Sequence, residues 1–259
     1  MSSSNDSIKK TLTVALLLCI VCSVIVSGAA VALKSQQAAN KDLDRKTNIL
    51  AAAGLLEPGK SVDELFAQIK PRVIDLNTGE YTTEVNANSY DQLKAAKDPA
   101  MSKALSNSED IAGIKRREQF ATVYLVEKEG KLDRIILPVR GYGLWSTLHG
   151  FLALESDANT VIGLGFYQHA ETPGLGGEVD NPKWKALWPG KKVFAEGSMN
   201  PELEVIKGAV DPASSGAEYK VDGLSGATLT SRGVSNLVQY WVGSEGFGPY
   251  LSKIRKEGV

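Results

Sequence analysis

Cysteine is absent after residue 34, and the two cysteines the chain has, Cys19 and Cys22, both fall in a hydrophobic stretch near its start. Everything beyond that stretch can form no disulfide, offer no thiol nucleophile and ligate no iron-sulfur cluster through cysteine. The i, i+3 spacing puts both thiols on one helix face, where small apolar residues facing lipid or a neighbouring helix account for them better than a redox pair does. Histidine is equally scarce: His149 and His169 are too few for a histidine-rich zinc or haem site. There is no excess of positive charge, with 29 Lys and Arg against 30 Asp and Glu among 259 residues, so nothing favours a nucleic-acid backbone. A Rossmann phosphate loop is missing as well. Gly174-Leu175-Gly176-Gly177 has neither the Gly-x-Gly-x-x-Gly spacing nor a following apolar helix, so an NADH site of that type is excluded.

What is present begins with an uncharged run from Thr11 to Leu33, rich in Leu, Val, Ile and Ala. As a helix it is roughly 34 Å long, enough to cross the hydrocarbon core of a bilayer. A secretory signal is the competing reading, since Lys9 and Lys10 make a basic start and Ala30-Val31-Ala32 resembles a cleavage site. The run exceeds the roughly 7–15 apolar residues of a signal, which favours a retained anchor. Lys9 and Lys10 on one side face Lys34, Lys41, Arg45 and Lys46 on the other, so the positive-inside rule gives no orientation. The organisation expected is a tail over residues 1–10, a transmembrane helix over 11–33, a stalk and helix-rich extension over 34–115, and a folded domain over 116–259.

Within the extension, Ser61 and Glu64 form a capping pattern that opens a helix through Lys70, and Val73 to Thr83 reads as two short strands around Asn77-Thr78-Gly79. Two hairpins follow. Ala121–Val126 and Leu132–Val139 flank a glycine-containing turn, and Phe151–Glu155 and Val161–Tyr167 flank Asp157-Ala158-Asn159. A short helix is expected over Pro182–Trp188, with further strands near Val193–Glu196, Glu204–Ile206 and Glu218–Val221. Val234, Leu237, Val238, Trp241 and Val242 recur at helical spacing and give an amphipathic helix capped by Thr230 or Ser231. The fold class predicted is α+β: an antiparallel sheet with packed helices, preceded by one N-terminal transmembrane helix.

Asp222-Gly223-Leu224-Ser225-Gly226-Ala227-Thr228 lies between a predicted strand and that helix. Small residues let a ligand approach the backbone, and a helix N-terminus favours an anion, so the segment suits a phosphate. An ordinary glycine turn before a capped helix fits the same residues. The stretch resembles the Asp-x-x-Ser/Thr-Gly-Ala-Thr flavinylation signature of the FMN-binding domain family, in which a flavin transferase esterifies FMN through its phosphate to the last Thr. That resemblance implies Thr228 as the covalent attachment site, with Asp222, Ser225, Gly226 and Ala227 filling the remaining positions. Gly141-Tyr142-Gly143-Leu144-Trp145-Ser146 resembles the family's glycine and aromatic turn, and His169-Ala170-Glu171-Thr172-Pro173-Gly174-Leu175-Gly176 its flavin-packing segment. Residues 116–259 are then the FMN-binding domain.

Chain length, the single anchor and the run Tyr142 to Gly150 are most similar to the C subunit family of sodium-translocating NADH:quinone reductases, with the G subunit of Rnf complexes as the near relative. The resemblance implies an electron carrier in a six-subunit membrane redox pump. Iron-sulfur subunits and the FMN-bearing B subunit would be its partners, NADH would bind elsewhere, and the FMN domain would lie on the periplasmic side of a bacterial inner membrane. Trp145 and Leu175 suit an apolar flavin ring, and Glu171, Thr172 and Gly174 lie where its polar edge would fall; Trp145 as a core aromatic and Glu171 as a surface cap are the plainer readings. Lys207 either pairs with the phosphate or is simply solvated. A membrane-tethered scaffold or sensor without flavin is the competing function.

Overall fold

The computed structural model describes residues 7–87 and 89–257. The chain divides after Asp44 into two units, an N-terminal one and a folded one from Arg45 onward. A single helix, α1 (Ile8–Ala52), begins in the first and ends in the second. Its most apolar window has a mean hydropathy of 2.8 and buries nothing, so it is long and apolar enough to cross a membrane.

The folded unit continues with α2 (Val62–Phe66), β1 (Ile69–Asp75), α3 (Gln92–Ala95), β2 (Ser102–Ala104), β3 (Arg116–Glu118) and β4 (Phe120–Lys128). Next come β5 (Lys131–Tyr142), β6 (Thr147–Glu155) and β7 (Val161–Gln168), a 3-10 turn over Gly176–Asp180, and α4 (Pro182–Lys185). The chain closes with β8 (Glu204–Val205), β9 (Lys220–Val221), α5 (Thr228–Val242) and α6 (Gly248–Glu257). Strands β1, β4, β5, β6 and β7 form one antiparallel sheet in the order β1-β4-β5-β6-β7, and β8 and β9 pair in parallel. This is the expected α+β class.

Both faces of the central sheet are covered, which is why β4 reads as a continuous apolar run rather than an alternating one. Val123, Leu125, Ile135, Leu137, Leu148 and Leu152 face the core shared with α5 and α6. Tyr124, Val126, Ile136, Phe151 and Ala153 face the other way, onto Ile49, Leu50 and Ala52 at the end of α1 and Leu65 of α2. Helix α5 approaches β5 closely because glycines line the contact. A Cβ at Gly141 would lie 2.4 Å from the Leu237 Cβ, and one at Gly233 2.4 Å from the Tyr142 carbonyl. The Trp241 indole N–H donates to the Arg140 carbonyl at 2.7 Å, fixing the helix along the strand.

Several elements depart from expectation. Ser61 does cap a helix, accepting from the Glu64 amide at 3.2 Å, but that helix stops at Phe66 because the chain enters the sheet at Ile69. After β1 the predicted second strand is a single bridge, Ile74 to Tyr81. Val193–Glu196 forms no strand: the Asn159 side chain takes the amides of Val193 and Phe194, leaving one bridge from Phe194 to Pro201. Thr230 and Ser231 are not caps. Helix α5 starts earlier, at Thr228, with Ala227 in the cap position, because both hydroxyls are engaged elsewhere.

Candidate functional site

Three segments converge at the start of α5. The first is the β5–β6 turn, which carries Leu144, Trp145 and Ser146; the second is the loop after β7, which carries Glu171 to Gly176; the third is the first turn of α5 itself. Glu171 joins them. Although only 5 % exposed, its carboxylate accepts from the amides of Leu144 (3.2 Å), Trp145 (3.0 Å) and Ser146 (3.1 Å), from the Ser146 hydroxyl (3.3 Å) and from the Thr230 hydroxyl on α5 (2.7 Å). Burial opposes its charge, yet the Thr230 hydroxyl and the three amides outweigh that and hold the carboxyl below its ordinary range. Glu171 is therefore an ionised, interior group and not a surface cap.

Glycine makes the approach possible. A Cβ at Gly143 would sit 2.7 Å from Glu171 Oε1, and one at Gly176 would sit 2.5 Å from Thr230 Oγ1 and 2.7 Å from Glu171 Oε2. The Glu171 amide in turn donates to His169 Nδ1 at 3.2 Å. An acceptor at Nδ1 leaves the ring proton on Nε2, facing Asp180 at 2.7 Å, and Lys185 completes that chain.

Around this junction lie side chains the core leaves uncovered. Trp145 is 67 % exposed, Leu229 53 % and Leu175 44 %, so Trp145 is no core aromatic. Leu175 lies against Gly226, where an added Cβ would be 3.0 Å from its Cδ2. Thr172 is exposed and its carbonyl accepts from the amides of Leu175 and Gly177, closing the loop on itself with Gly174 in the left-handed region at φ 75°.

Thr228 is exposed and opens α5. Ala227 offers no side-chain oxygen to cap the helix, so the positive end of a helix of 15 residues is left to an external acceptor. Ser225 and Gly226 are exposed, Gly226 has φ 71°, and Ala227 is buried. Asp222 is held from both sides: its carboxylate accepts from the Val210 amide at 2.8 Å and its carbonyl from the Trp184 indole at 2.8 Å. The Gly223 amide donates to the Gly208 carbonyl at 2.8 Å, which lays the loop carrying the exposed Lys207 against the motif. The structure thus brings the motif, the Trp145 turn and the Glu171 loop together, with Lys207 on an adjoining loop. Thr230 is the participant that sequence alone misjudged; its partner lies 59 residues away, beyond any local pattern.

Comparison with known proteins gives the arrangement a family. Residues 143–243, from the β5–β6 turn to the end of α5, match the FMN-binding domain. The chain is 59 % identical, over 98 % of both lengths, to the C subunit of the Na(+)-translocating NADH-quinone reductase of Pseudomonas aeruginosa, and 52 % identical over 99 % of both lengths to that of Vibrio vulnificus. Its fold superposes on the crystal structure of Shewanella oneidensis NqrC with a TM-score of 0.76 at 35 % identity, covering 84 % of this chain and 99 % of that one. The corresponding protein from Parabacteroides distasonis gives a TM-score of 0.64 at 26 % identity, covering 86 % and 96 %. With an FMN-binding domain built around the start of α5 and relatives matched from end to end, the chain belongs to the NqrC family, the C subunits of Na(+)-translocating NADH-quinone reductases.

Proposed function

We propose that the chain is an electron-carrier subunit that holds FMN through a phosphoester to Thr228 and relays electrons from an iron-sulfur centre of its complex to the flavin of the B subunit, on the way to ubiquinone. The observation that carries this reading is the exposed Thr228 at the start of a helix whose cap position holds alanine. A phosphate on that oxygen would supply the acceptor the helix end lacks.

The surroundings fit the rest of the group. Exposed Trp145, Leu175 and Leu229 offer an apolar seat from which a flavin ring would exclude water. Thr172 and the backbone about Gly174 offer hydrogen bonds to a polar edge, and Lys207 a countercharge for phosphate. Ser225, Gly226 and Ala227 keep the turn narrow enough for approach, and Asp222 anchors it from below. When bound, FMN supplies reversible uptake and release of electrons. Esterification replaces the Thr228 Oγ–H bond by Oγ–P. The proton leaves to a base, and the P–O bond that breaks belongs to a flavin phosphoanhydride presented by a flavin transferase.

Residues 1–10 would form a cytoplasmic tail, 11–33 the span through the bacterial inner membrane, 34–115 the stalk and extension, and 116–259 the periplasmic FMN domain. The unbroken course of α1 past Ala30-Val31-Ala32 supports a retained anchor. NADH would bind elsewhere in the pump.

The test is a denaturing gel of the chain expressed with its flavin transferase and viewed under ultraviolet light. A fluorescent band that disappears in Thr228→Ala is expected. A band that persists in that variant would move the attachment elsewhere, and no band in the wild type would favour a flavin-free tether.

A further inference from the structure

We infer that Glu171 is a positioning residue: its carboxylate clamps the Trp145 turn to the first turn of α5, holding the flavin seat and the attachment threonine in one geometry before flavin arrives. The inference rests on the flavin reading above, and deepens it by assigning the device that assembles the site.

The donor inventory carries the case. Five neutral donors, the three amides and the Ser146 and Thr230 hydroxyls, share the two oxygens of a carboxylate on a residue only 5 % exposed. Buried behind these donors, Glu171 serves the other segments rather than the cofactor. Its donors are all neutral, and a buried charge without a countercharge is tolerated only when fully hydrogen-bonded. One side chain therefore holds two arms, the amides of the turn at one oxygen and the α5 hydroxyl at the other. All three clamped amides flank or belong to Trp145, the exposed aromatic of the site, and the Thr230 hydroxyl lies two residues after Thr228. Gly143 and Gly176 provide the space, since a Cβ at either would strike the carboxylate. The His169 ring fixes the backbone of Glu171 from the opposite side.

The experiment uses the full-length chain in detergent, first without flavin. In Glu171→Gln the side chain keeps its length but brings N–H groups towards donors. Hydrogen exchange at Leu144, Trp145 and Ser146 should then quicken about 10- to 100-fold, as expected for loss of a charge-assisted hydrogen bond. Thr230→Val should leave those amides protected while releasing α5. In chain loaded by the transferase, both variants should shift the flavin absorption band and lower flavin incorporation, a response that a merely stabilising contact would not produce. Wild-type exchange at the three amides in a folded Glu171→Gln variant would overturn the clamp, as would wild-type flavin bands in both variants. Should Glu171→Gln fail to fold by circular dichroism, Thr230→Val decides by its flavin band. If the wild-type chain gains no flavin mass, the flavin reading fails while the exchange measurement still decides the clamp.

Discussion

Gly176→Ala is the sharpest perturbation of this site that leaves every polar group in place. The added methyl would come within 2.5 Å of Thr230 Oγ1, 2.7 Å of Glu171 Oε2 and 3.1 Å of Glu171 Cβ, and no flexible chain end can swing away, because both oxygens are held by the clamp. Something must give, and the Thr230–Glu171 bond is the nearest element. Losing a hydrogen bond to a charged group costs about 1.5–3 kcal/mol, offset by about 0.4–1 kcal/mol from the stiffer unfolded chain, so the net loss is about 0.5–2.6 kcal/mol. For a domain of this size each kcal/mol lowers the melting temperature by about 2–4 °C. Gly165→Ala is the internal control: it lies in β7 with nothing within 4 Å of an added Cβ and should be neutral or slightly stabilising. Urea denaturation of both variants beside the wild type provides the assay. Equal midpoints for Gly176→Ala and Gly165→Ala would refute the close packing on which the clamp depends.

Acid should open the same region. Because the folded Glu171 carboxyl titrates below its ordinary value of 4.5, its contribution to stability is fully present above about that pH and is lost as pH falls through the folded value; Glu171→Gln should flatten this part of an acid-unfolding curve. Glu118 is fully buried and receives two bonds from the Arg140 guanidinium at 2.7 and 2.6 Å, so Glu118→Ala should cost about 3–5 kcal/mol by stranding a charge, whereas Glu118→Leu with Arg140→Met should recover much of it in the same melts. Trp145→Ala should change stability by no more than about 0.5 kcal/mol, since the ring is mostly exposed, yet alter the flavin fluorescence of the loaded chain. A large stability loss there would mean that the indole belongs to the core after all.

Much of the scaffold was legible because its signals are local. The β4–β5 hairpin announces itself through Glu129-Gly130, which adopt φ 54° and 78° in a two-residue loop between paired Lys128 and Lys131. Helix α5 follows from the spacing of Val234, Leu237, Val238 and Trp241, all fully buried. The Asp222–Thr228 motif marked the turn and the helix start to within a few residues. What stayed illegible depends on distant partners. The amides bound by Glu171 lie 25 to 27 residues away and Thr230 lies 59 away, so a glutamate that the sequence offers as a flavin-edge residue or a surface cap becomes the interior link of the site. Likewise the Asn159 side chain, 35 residues from Phe194, removes the amides that a strand at Val193–Glu196 would have needed. The position of Thr228 at the helix start, ahead of Thr230 and Ser231, follows from tertiary bonds that draw those two hydroxyls into the interior.

Peptide mapping by tandem mass spectrometry of the chain co-expressed with its flavin transferase reads the proposed phosphoester at the hydroxyl itself. The peptide spanning Ser225 to Thr230 should carry the mass of one FMN less one water, with fragment ions placing it on Thr228. An unmodified peptide throughout, or the added mass on Ser225 or Thr230, would contradict it.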